Sequence, residues 1–119
     1  MASTRGTEGG STPLVNTDAL VARLNVPLKA LLGEQQVITD MPASTGSEDV
    51  HLLLGEHTQV PFAYLLVGVA DPAVFAQARQ EGKFVPYSAH NPNYIVDLAA
   101  IPVGTKVATT LVSERLARH

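Results

Sequence analysis

The residues best equipped for chemistry are four histidines, His51, His57, His90 and His119. A neutral imidazole can ligate a divalent metal or carry a proton near pH 7. No two of them stand at the i, i+4 spacing that puts a ligand pair on one helix face, and no HExxH is present. A GxSxG nucleophile elbow, a phosphate-cradling glycine loop and a dinucleotide glycine fingerprint are also missing. With no cysteine, thiol nucleophiles, zinc–thiolate sites and disulfides are excluded together.

Two segments combine chemistry with a suitable setting. In Thr45-Gly46-Ser47-Glu48-Asp49 a small-residue loop runs into an acidic helix start. Backbone amides at such a start can hold an anion such as a substrate carboxylate, although an ordinary capped helix has the same composition. In Ser88-Ala89-His90-Asn91-Pro92-Asn93-Tyr94 a histidine sits in a turn-rich loop, where sites collect. A single loop histidine, taken alone, is more often solvated than metal-bound.

The elements that must position these segments can be read from periodicity. Asn16-Thr17-Asp18 offers helix N-cap oxygens, followed by Leu20, Val21, Leu24, Leu28, Leu31 and Leu32 on one apolar face. Pro27 should kink or divide that helix, and Gly33 should stop it. Gln36 to Thr39 reads as a short strand. Ser47 is the expected cap of a helix over 48–54, and Asp71-Pro72 should begin another helix running to about Gln80. Between them Phe62 to Val69 is an unbroken apolar run, the pattern of a strand covered on both faces. A final helix is expected from about Asp97 or Pro102 to Ala117, with Ile101, Ala108, Leu111, Val112 and Leu116 inward. A strand apolar on both faces needs neighbours on both edges, and this chain offers few. Part of a sheet is therefore expected from another chain or an absent N-terminal region.

At 119 residues, 45% hydrophobic and 16% charged, the chain can build one domain. A net charge of −3 with eight scattered Lys and Arg gives no footprint for nucleic acid. No apolar run reaches the roughly 18 residues that span a bilayer, and Met1 to Thr12 does not resemble a signal peptide. A cytoplasmic protein, with neither nucleic acid nor membrane as partner, is the expectation.

The order of the segments is the most telling feature. A capped helix after Leu14-Val15-Asn16 ends in Leu31-Leu32-Gly33. Gly46-Ser47-Glu48-Asp49, an apolar run closing on Val67-Gly68-Val69, and His90-Asn91-Pro92 before a glycine-containing helix follow. This series resembles the C-terminal part of metallopeptidase family twenty, the aminoacylases, hippurate hydrolases and carboxypeptidase G-type enzymes, over roughly Thr12 to Arg118. The resemblance implies an α/β fold, here a partial three-layer sheet with flanking helices from a zinc-peptidase-like catalytic domain. Residues 1–15 would be a flexible lead-in or the last edge of a lid domain, and residues 16–119 the C-terminal part of the catalytic domain. It further implies that His90 is the last metal ligand, that Thr45, Gly46 and Ser47 lie by the substrate's carboxylate, and that Asn16 has a structural role. The cofactor of the complete enzyme would be a divalent metal, zinc or else manganese or cobalt, and the substrate an N-acyl amino acid or peptide-like amide. The family's other ligands and its general-base glutamate have no counterpart here, and Val50 and His51 replace an aromatic position. The expected function is thus a C-terminal fragment of a metal-dependent amidohydrolase, inactive alone and completed by an N-terminal chain. The alternative is a non-catalytic interaction domain or a remnant of that family.

Overall fold

A computed structural model of the protein describes residues 12–44, 46 and 48–117. Three α-helices appear, α1 (Asp18–Leu32), α2 (Pro72–Gln80) and α3 (Ala100–Leu116), with short 3-10 segments at Glu34–Gln36 and Val50–Leu54. Leu20, Leu24 and Leu28, one helical turn apart on α1, are buried, and α1 packs against α3, whose buried residue is Val107. α2 buries Ala78. Each buried leucine removes enough apolar surface to contribute about 2–3 kcal/mol.

Helix ends follow local chemistry. Asp71 Oδ1 accepts from the amides of Ala73 (2.8 Å) and Val74 (3.2 Å), and Pro72 follows it, the cap-then-proline order expected. Gly33 ends α1 at φ 92°, a backbone region that costs any other L-residue, and returns its N–H to Lys29 O at 2.8 Å. Pro27 does not divide α1, which is one helix from Asp18 to Leu32.

The partial three-layer α/β sheet expected from the sequence is not formed: the described residues contain no strand. Residues 61–69 do run straight, free of turn or bend, but a strand exists by pairing, and among the described residues no other backbone segment forms a ladder with it. Gln36 to Thr39, the other expected strand, is partly 3-10 turn and otherwise irregular. What holds the straight segment is the start of α1. Thr17 N donates to Phe62 O (2.8 Å) and Thr17 Oγ1 accepts from Phe62 N (3.0 Å). Asn16 Oδ1 accepts from Tyr64 N (2.7 Å) while Asn16 Nδ2 donates to Tyr64 O (3.0 Å). The Asn16 carboxamide thus takes the place of a neighbouring strand at one residue. At the far end Asp97 N donates to Val69 O (2.7 Å), tying the segment to the lead-in of α3.

Of the five α3 residues expected inward only Leu111 is half-buried; Ile101, Ala108, Val112 and Leu116 are exposed, and Gly104 and Val107 join Leu111 on the covered side. The helix is apolar on two sides, so spacing alone permits either stripe, and contact with the straight segment decides. A Cβ added at Gly104 would lie 3.9 Å from Val67 Cγ1, an ordinary contact. Gly104→Ala should therefore stabilise the chain by about 0.5–1 kcal/mol through helix propensity, read as a rise in urea midpoint. A fall would mean that the Gly104–Val67 approach is tighter than described. Gly33→Ala should do the opposite.

Much apolar surface is left bare. A compact monomer of 12.6 kDa exposes about 6,200 Å², against 9771 Å² here. Granting the residues outside the description the full area of an unfolded chain, roughly 2,300 Å², still leaves about 7,500 Å² where a compact body of the remaining size has about 5,600 Å². Leu53, Leu66, Leu98 and Ile95 are among the exposed side chains.

Candidate functional site

His90 lies in a turn closed by Asn91 N donating to Ser88 O (3.1 Å), and it is exposed. Asn91 Oδ1 accepts from Asn93 N (2.8 Å), the local bond that a turn asparagine makes. Among the described residues no group of three or more His, Asp or Glu comes together to hold a metal ion. A zinc centre needs three or four protein donors, so the residues described here do not by themselves fit one.

Of the three residues expected at a substrate carboxylate, Thr45 and Ser47 lie outside the described residues. Gly46 is described, its amide donating to Ser44 Oγ (3.2 Å). The cap expected at Ser47 thus lies outside the described residues, and in place of a helix over 48–54 there is a shorter 3-10 segment, Val50–Leu54. The amides that could have received an anion are occupied from within: Glu48 Oε1 accepts from Asp49 N (2.9 Å) and Val50 N (3.0 Å).

The structure does gather a polar cluster that spacing did not single out. Glu48 Oε2 accepts from the Tyr64 hydroxyl (3.1 Å), and His51 Nε2 pairs with Thr12 Oγ1 (2.8 Å). His51 Nδ1 is buried without a partner among the described residues. Glu48 and His51 are three apart in the chain, but Tyr64 arrives from sixteen residues away, placed by the bonds of Asn16 and Thr17 to its segment. The amides of Val50 and Asp49, then the Tyr64 hydroxyl, hold the Glu48 carboxyl below its ordinary range. Tyr64 is pushed upward chiefly because its hydroxyl donates to that carboxylate. A depressed Glu48 stabilises the fold above its ordinary pKa, and that contribution is lost as pH falls through the lowered value. The raised Tyr64 contributes below its ordinary pKa and loses its contribution as pH rises through the higher one. Glu48→Ala should accordingly bring the alkaline midpoint of the Tyr64 phenol, followed by its ring NMR signal, back down. An unmoved midpoint would break this link.

A shallow, open hollow of about 240 Å³ lies between α2 and the lead-in to α3, lined by Asp71, Val74, Tyr87, Ile95 and Asp97. Its two carboxylates are already engaged, Asp71 as the cap of α2 and Asp97 Oδ1 in a local turn, accepting from Ala99 N (2.9 Å). No helix among the described residues is long and apolar enough to cross a membrane. No protein-family model matches the chain, and no solved structure matches it.

Proposed function

We propose that the chain is the C-terminal part of a cytoplasmic metal-dependent amidohydrolase acting on N-acyl amino acids or related amides. In this proposal it is inert alone, and an N-terminal chain supplies the remaining metal ligands and the general base. His90 would give one imidazole to that centre, and the loop of Thr45, Gly46 and Ser47 would face the substrate's carboxylate. Residues 16–119 would form the catalytic-domain portion. What supports this is the ordered pair of Gly-Ser-Glu-Asp and His-Asn-Pro, joined to one structural observation. The chain leaves roughly 1,900 Å² more surface bare than a compact body of its size, as expected of a part that is finished by another polypeptide. His90 is exposed and so accessible to ligands from outside the chain.

The same bare surface favours the alternative of a non-catalytic interaction domain, and one assay separates them. N-acyl amino acid hydrolysis is measured with zinc or cobalt, with the chain alone and with the N-terminal half of an amidohydrolase of this type. The expected result is no turnover alone, turnover on mixing, and loss of that turnover with His90→Ala. Because His90 is exposed, His90→Ala should shift folding stability by less than about 0.5 kcal/mol. Turnover by the chain alone, or complementation indifferent to His90, would overturn the proposal.

A further inference from the structure

We draw no further inference here: the strongest candidate, the uncovered apolar stripe of α3 formed by Ile101, Ala108, Val112 and Leu116, is an unpartnered helix face, and nothing in the structure shows what covers it.

Discussion

Alanine at Leu28 is expected to cost about 2–5 kcal/mol, enough to unfold much of the population at 25 °C. Leu28 is only 3% exposed, the most deeply placed of the few buried apolar residues in the described chain. Removing its isobutyl group loses transfer free energy and leaves a void in the buried stripe of α1. Single domains hold about 5–15 kcal/mol in all, and a chain with so small a buried core belongs at the lower end. The control is Leu53→Ala. Leu53 is 85% exposed, so its loss should change stability by less than about 0.5 kcal/mol. Urea unfolding followed by far-ultraviolet circular dichroism measures both. Equal effects of the two substitutions would show that the α1–α3 contact does not organise the fold.

The contrast between these two leucines shows where the sequence is informative. α1 has a single apolar stripe, so period and burial agree at Leu20, Leu24 and Leu28. Asp71-Pro72 and Gly33 also act where expected, because capping is settled within a few residues. α3 is apolar on two sides, and of the residues its spacing picks only Leu111 lies on the covered side. Phe62 to Val69 has the composition of a buried strand, but pairing depends on residues far away or on another molecule, which composition does not encode. The same limit applies to chemistry. Glu48 and His51 are close in the chain, whereas Tyr64 reaches Glu48 through a clamp on its segment forty-eight residues away in the chain. His90 is placed by its own turn, and its significance lies in groups that would have to come from elsewhere.

That clamp yields the second large effect. Asn16-Thr17-Asp18 looks like cap chemistry, and Thr17 does occupy the N-cap position of α1, but with no side-chain cap bond. Both side chains are diverted to the straight segment instead. Asn16→Ala removes a donor and an acceptor at once and leaves the part-buried N–H and C=O of Tyr64 without partners. A lost hydrogen bond costs about 0.5–1.5 kcal/mol, and an orphaned group about 1–3 kcal/mol where water cannot replace the partner. About 2–3 kcal/mol is the expected total. Asn16→Asp keeps the acceptor for Tyr64 N and loses the donor to Tyr64 O, setting a carboxylate against a carbonyl oxygen. Its cost should therefore remain substantial at neutral pH and shrink in acid, where a protonated carboxyl can donate again. Asn16→Ala lacks that acid recovery, which is how the bond to Tyr64 O is told apart from simple loss of packing. Hydrogen exchange gives the local readout: the Tyr64 amide should lose protection in Asn16→Ala and keep it in Asn16→Asp. If both variants kept it, the straight segment would be held by something other than the start of α1. The placement of Tyr64 beside Glu48 would then need another cause.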